Sequence, residues 1–405
     1  MSLNTLRNTG LPGGRDMSAS HSHRGERDTR IDAVRAVILT VVIIMNMMTL
    51  SGLAYLSPDA RAELLAPVDQ WAWDFLAIFL DGKALAAFSF MFGLSFSMIL
   101  SRAGPENGAS SAQIIRRFLV LGAIGLFNAV FLFWADILMT YAALGLLLPL
   151  AARLPQRIII GAGTALILAG PVALALSGID PPAPVPEGRD DSLQAFASSN
   201  YADTITQNLN MVTGAADTVK GTLVLRFFML SGLFLLGLAV GRSTLTARFE
   251  GLRAPMFKLG ALSVVIGLAA GATLRLTESP EGVWFLLYLE TPVMALGYLM
   301  LLTAALHGKR EGKLHSLLAP LGRMSLTGYL GASILGQLLF YGWGFQLIGQ
   351  AGTISVMAIA LAVTAALVGF AHLWFRHFVY GPWEWLWRSL THLSPQPIVG
   401  RGAAS

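Results

Sequence analysis

Ten stretches of about 20 mostly apolar residues recur along this chain, near 33–53, 84–101, 114–134, 137–152, 157–177, 221–241, 256–275, 283–306, 324–345 and 352–374. That length matches a helix that crosses a bilayer, where the backbone must satisfy its own hydrogen bonds because lipid offers none. Of the 405 residues, 55% are hydrophobic and 13% charged. A soluble domain carries roughly 25% charged residues, so an ordinary soluble enzyme, a disordered chain and a nucleic-acid-binding domain are excluded. The expectation is an all-α polytopic membrane helix bundle of about ten transmembrane helices, with the lipid bilayer as its main partner and no nucleic acid.

The charges assign a topology. With the N-terminus in the cytoplasm, the basic residues collect in alternate connections: Arg102, Arg116 and Arg117, then Arg153 and Arg157, then Arg242, Arg248, Arg253 and Lys258. Lys309, Arg310, Lys313 and Arg323 follow, and finally Arg376, Arg388 and Arg401. The outer side keeps only Arg61, Lys83, Arg189, Lys220, Arg226 and Arg275. This is the positive-inside pattern, and it predicts that both termini are cytoplasmic in a multi-pass protein of a bacterial inner membrane. The chain has no cysteine, which removes disulfides, thiolate metal sites and a cysteine nucleophile. The first thirty residues have no apolar core of the kind a cleaved signal requires.

Five regions are expected: a disordered cytosolic tail at 1–30, a five-helix half at 31–178, an outer Pro-rich and acidic linker at 179–220, a second five-helix half at 221–378, and a cytosolic amphipathic tail at 379–405. Within the first half, the apolar run Trp71–Leu80 is too short to span and suits a helix in the outer interface. No internal repeat relates the two halves, so an inverted-repeat transporter has no support.

Ionisable groups inside spans are costly and therefore candidates for function. Glu290 lies in the eighth span and Arg226 in the sixth, both toward the outer side, where they can pair. Such a pair is either a structural salt bridge or a carboxylate poised as a base beside an arginine. Asp136 opens the fourth helix with Tyr141 one turn below; it reads as a helix cap or as an acid facing an outward cavity. Asp81 and Lys83 precede the second span as anchors or as a wall of that cavity. Arg35 and Asn46 share the first span, Arg35 at its cytoplasmic end and Asn46 near mid-bilayer, where an amide must face other helices. Every histidine falls on the cytoplasmic side or at its edge, which excludes an external histidine base. No metal-ligand spacing occurs, so no metal is expected. Near the C-terminus Trp383, Trp385 and Trp387 alternate with polar residues, and Glu384 and Arg388 are spaced to pair on one face of an amphipathic helix.

Several segments together resemble the YeiB-type family of bacterial membrane proteins, the "domain of unknown function 418" group. They are Arg30-Ile31-Asp32 leading to Asn46, Asp81-Gly82-Lys83 with Phe88 to Gly93, and Asp136 with Tyr141. Further on come Gly322-Arg323-Met324-Ser325 with Tyr329, Tyr341-Gly342, and Gly381-Pro382 with Glu384 to Arg388. The likeness covers about residues 28–393, and this group is similar to a wider set of transmembrane acyltransferases.

That resemblance implies a bundle that moves an acyl group from cytosolic acyl-CoA to an unidentified glycan, lipid or small-molecule acceptor in the envelope. Glu290 or Asp136 would then be the base. Arg323 and Arg35 would meet the CoA phosphates, and Asn46, Asp81, Lys83, Tyr141, Arg226 and Tyr329 would line the passage. Asn46 stands where the O-acyltransferases carry a histidine, and Gly328 where relatives carry an asparagine. Two other classes stay open on the same residues: a transporter or exporter of a small or lipidic solute, and a non-enzymatic membrane scaffold.

Overall fold

The structure is a computed structural model that describes residues 29–102, 111–177, 189–218, 220–243, 245, 251–277, 280–306 and 312–399. The expected tail before residue 29, the proline run at 181–186, and Arg248, Lys309 and Arg310 lie outside the described residues. Each of the ten apolar stretches is helical. In chain order the helices are α1 (Thr29–Leu50), α2 (Pro58–Leu64), α3 (Pro67–Phe79), α4 (Lys83–Arg102), α5 (Ser111–Phe127), α6 (Leu138–Gly145), α7 (Leu148–Ala151) and α8 (Gln156–Ser177). The series continues with α9 (Arg189–Ala197), α10 (Tyr201–Thr218), α11 (Lys220–Arg242), α12 (Arg253–Thr277) and α13 (Pro280–Leu306). It closes with α14 (Lys313–Arg323), α15 (Ser325–Phe340), α16 (Thr353–Trp374) and α17 (Pro382–His392). The described residues contain no strand, only an isolated bridge between Phe378 and Val399.

Seven helices among the described residues are long and apolar enough to cross a bilayer. The protein is therefore an all-α membrane protein. The sixth expected span, α11, is not among those seven, and the fourth and ninth are present as the shorter apolar segments Leu138–Ala151 and Ser325–Phe340. Their shortness has a local cause. Pro149 sits near the start of α7, where α6 has just ended, and α15 stops where the chain turns back through Tyr341 to Gln350.

The two halves expected from the sequence interleave. α1 is the central post and packs on α14, α15 and α16 as well as on α4, while α11 lies between α4 and α8. The α4–α11 contact is made backbone to backbone. A Cβ at Gly93 would overlap the carbonyl of Phe234, and one at Gly237 would overlap that of Phe90. Small residues allow this approach, which substitutes packing for a hydrophobic drive that lipid cannot supply.

The stretch expected as a plain linker is partly folded. α9 buries Phe196 in a stack with Tyr341 at 4.7 Å, and Asn208 of α10 donates to the Val130 carbonyl at 3.1 Å. Those contacts make 189–218 a cover over one end of the bundle. The interfacial run expected at 71–80 lies largely within α3, which leaves Val68, Trp71 and Phe75 exposed.

Gly93→Leu and Gly237→Leu should each lower the thermal midpoint of the purified protein, since overpacking costs roughly 1–3 kcal/mol or more. Gly161→Leu, on α8 with nothing within 4 Å of its Cβ position, should leave the midpoint unchanged. Equal midpoints for all three variants would contradict the close approach.

Candidate functional site

One end of the bundle gathers most of the arginines. It holds the start of α1, the end of α4, the start of α5, the α14–α15 junction and α17, and is called the basic end below. A cavity of about 270 Å³ opens there. Along α1 its lining runs from Ile31 to Val42, eleven steps or roughly 16 Å at the helical rise.

The mouth is cationic. Arg35, Arg117, Arg323 and Arg388 line it, with Asp32 and Glu384 as the acids. Arg35 is paired with Asp32 at 2.9 Å and also donates to the Ser95 hydroxyl. The Arg323 guanidinium donates to the Val379 carbonyl at 2.5 Å and lies 4.2 Å from the Phe375 ring centroid. Arg117 and Arg388 differ: among the described residues neither takes part in an ion pair. Arg117 stacks on Trp387 at 3.8 Å and Arg388 on Tyr380 at 4.6 Å. Aromatic faces hold both guanidiniums in place without neutralising them.

Glu384 has another task. Helix α15 begins after Met324, which offers no capping side chain. Glu384 reaches across from α17 and accepts from Leu326 N at 2.7 Å, Thr327 N at 3.1 Å and the Thr327 hydroxyl at 2.6 Å. The Thr327 hydroxyl in turn accepts from Trp383 N at 3.1 Å, so two helix starts cap each other. Burial pushes the Glu384 carboxyl above its ordinary range, and the Thr327 and Leu326 donors pull it back. The expected Glu384–Arg388 pair is therefore not formed, because the carboxylate is committed to the backbone of α15.

The rest of the lining is largely apolar and aromatic, with Phe88, Phe92 and Leu121, and it includes Tyr141, Tyr329 and Ile137. Asp136 precedes Ile137 in the chain and lies outside the lining. Helix α5 widens into a π turn over Asn128–Leu132 and then breaks before α6. A π turn redirects side chains, and such turns occur often at functional sites. The break folds back onto α5 because residue 125 is glycine; a Cβ there would crowd Met139 N and the Asp136 carboxylate. Asp136 accepts from Met139 N at 2.9 Å, which caps α6, and from the Asn128 amide at 2.8 Å. The Tyr329 hydroxyl approaches it at 3.5 Å. The cap reading of Asp136 is thus the one its contacts match; the carboxylate does not line the cavity, which opens at the basic end and not outward.

The remaining candidates lie elsewhere. Glu290 does not pair with Arg226, which is exposed. Its partner is Lys83 at 3.2 Å, with 3% and 5% of the respective side chains exposed. No local pattern joins the start of α4 to the middle of α13; the Tyr298 hydroxyl bond to the Phe79 carbonyl shows how closely α13 approaches the end of α3. Neither member of this pair lines the cavity. Asp81 is exposed at the α3–α4 turn, and Asn46 is half-buried, lining neither of the two cavities described here. Arg35, Arg323, Tyr141 and Tyr329 do line the cationic cavity together, joined by Arg117, Arg388 and Trp387, which sequence patterns do not mark as site residues. Among the described residues no cluster has the composition of a metal site.

With this geometry in place, comparison with known proteins gives the following. Residues 240–394 match the model of a family described as "Protein of unknown function (DUF418)". The chain is 28% identical over 397 residues to the uncharacterized protein YxaH of Bacillus subtilis, covering 92% of this chain and 96% of the relative. It is 29% identical over 393 residues to the uncharacterized protein YeiB of Escherichia coli, covering 93% and 99%. No solved structure matches.

Lys83→Met should destabilise the protein by roughly 3–5 kcal/mol, because it leaves Glu290 charged and alone in the interior. The double variant Lys83→Met/Glu290→Leu should recover most of that loss. Thermal midpoints in detergent check this; a double variant no better than the single would mean that the pair does not act as a unit.

Proposed function

Since the chain belongs to the YeiB-type DUF418 family of membrane proteins, whose matched relatives carry no described activity, we propose a function from the site itself: binding of cytosolic acyl-CoA at the basic end and passage of its acyl group to an envelope acceptor. The observation that supports this reading most directly is the pair Arg117 and Arg388. They are two guanidiniums held on aromatic faces in the lining of a largely apolar cavity, and among the described residues neither is in an ion pair. Burying charge without a partner is unfavourable, so an arrangement of this kind fits an anionic ligand. Guanidiniums also match phosphate geometry with paired donors.

The residues fit acyl-CoA by the chemistry of each part of the cavity. Arg117, Arg388 and Arg323 would hold phosphates at the mouth, with Arg35 kept in register by Asp32 and Ser95. The throat formed by Phe88, Phe92 and Leu121 would take the acyl end and exclude water from it. Acyl-CoA would supply an activated thioester. Asp136 would take the proton of an acceptor hydroxyl as that oxygen bonds to the thioester carbonyl carbon, and would return it to the CoA thiolate released when the C–S bond breaks, with Asn128 and Met139 N fixing the orientation of the carboxylate and Tyr329 lying between it and the cavity. In this reading Glu290 has no catalytic role, because its carboxylate is committed to Lys83 and lies away from the cavity.

Purified protein should bind a non-hydrolysable acyl-CoA thioether by calorimetry. Arg117→Gln/Arg388→Gln should weaken that binding at least about tenfold, the loss expected when one or more charge-assisted hydrogen bonds are removed. Asp136→Asn should retain binding and lose thioester turnover. Absence of any binding would remove the proposal. Proton-coupled solute flux in proteoliposomes without thioester turnover would replace it with transport.

A further inference from the structure

A second cavity of about 490 Å³ lies on the flank of the bundle among α1, α4, α8, α11, α12 and α13. Its walls are apolar, with Val34, Leu94, Ile160, Leu236, Leu259 and Met300 representing the six helices. Three polar side chains reach it, and all sit toward helix ends at the basic end: Gln156 opens α8, Ser243 follows α11, and Thr303 lies in the last turn of α13. Gln156 donates to the Ala239 carbonyl at 2.6 Å and the Ser243 hydroxyl to the Val240 carbonyl at 2.6 Å. Thr303 also has a partner. With those groups satisfied, the interior offers little to a polar solute and suits a hydrocarbon chain.

The rim is different. Arg242 and Arg253, both exposed, are the immediate neighbours of the lining residues Ser243 and Leu252. Arg253 donates its Nε to the Ala304 carbonyl at 2.9 Å, and Arg242 donates one amino group to the Ala152 and Leu154 carbonyls, both at 3.1 Å. A guanidinium carries five N–H donors, so each arginine is anchored in place with donors to spare. Exposed Lys258 adds a third positive charge about one turn along α12. A cationic rim over an apolar pocket is complementary to one type of molecule in a bilayer, a lipid with an anionic head.

We infer that this cavity is a binding site for an anionic glycerophospholipid of the leaflet at the basic end, with an acyl chain inside and its phosphate at Arg242 and Arg253. The site stands apart from acyl transfer, since it needs no thioester and uses none of the residues assigned to that chemistry. It nonetheless adjoins the cationic cavity closely. Ile31 and Met91 line both spaces, so two side chains form part of the partition between them. An occupant of one cavity can therefore be felt in the other through the flexible thioether of Met91.

The test uses the full-length protein in phosphatidylcholine nanodiscs doped with a phosphatidylglycerol that carries a diazirine on its acyl chain. After irradiation, label should concentrate on the peptides containing Met256 to Leu259 and Leu296 to Thr303, well above the exposed lipid-facing positions Leu361 and Phe370 of α16. Met256→Trp/Leu259→Trp should abolish that excess, and Arg253→Gln should reduce it. The arginine variant keeps the test decisive if the filled variant fails to fold. Label spread evenly over all exposed faces would reduce the lipid to bulk solvent and overturn the site. Equal labelling by a diazirine phosphatidylcholine would overturn the assignment of an anionic head.

Discussion

Inside a bilayer a polar group that finds no partner in its own protein finds none at all, and this constraint shapes every feature of the bundle. The first N–H groups of a helix have no intrahelical acceptors. α6, α15 and α16 begin after Ile137, Met324 and Gly352, none of which offers a capping side chain. In each case a carboxylate supplies the acceptor: Asp136 from the preceding turn, Glu384 from α17, and Asp69 of α3, which accepts from Ile354 N at 2.8 Å. Two of the three reach across from another element, so one bond both starts a helix and docks its neighbour. The buried Lys83–Glu290 pair obeys the same rule by mutual neutralisation.

Against that background, two arginines that form no ion pair among the described residues stand out. Arg117 and Arg388 are fixed by stacking yet unneutralised, and they share a cavity with Arg35 and Arg323. The lining extends over roughly 16 Å of α1 and combines these arginines with Phe88, Phe92 and Leu121, and the Asp136 carboxylate lies behind Tyr329. The ligand proposed for this site is accordingly an amphiphile that enters head-last from the basic end. The lipid cavity on the flank repeats the pattern with fewer charges and more hydrocarbon wall.

The helices were legible because lipid imposes a length and a composition that a sequence displays directly. α1, α12 and α16 follow the expected spans within a few residues at most ends. Asp136 was also legible as a cap, since an acid two residues ahead of a helix is a local signal. Partnerships between distant segments were not. Glu290 was matched with Arg226 on depth alone, whereas the approach of α3 and the start of α4 to α13 brings Lys83 to it instead. Glu384 was assigned to Arg388 by helical spacing, but the bare start of α15 claims it, and no local pattern reveals a carboxylate needed elsewhere. Arg117 and Arg388 were counted as topology charges because a basic residue at a span end serves that purpose by default; only the cavity distinguishes them.

The central claim is that Arg35, Arg117, Arg323 and Arg388 line one cavity open at the basic end, while the buried Lys83–Glu290 pair stands apart from it. The chain has no cysteine, so a single introduced thiol is the only one that reacts. Ser95→Cys reports from within the cavity, and Glu63→Cys, on exposed α2, reports from the opposite end. In sealed vesicles of known orientation, a membrane-impermeant maleimide should label Ser95→Cys from the cytoplasmic side alone and Glu63→Cys from the other side alone. Labelling of both from the same side, or a Ser95→Cys protein inert from either side, would contradict the account.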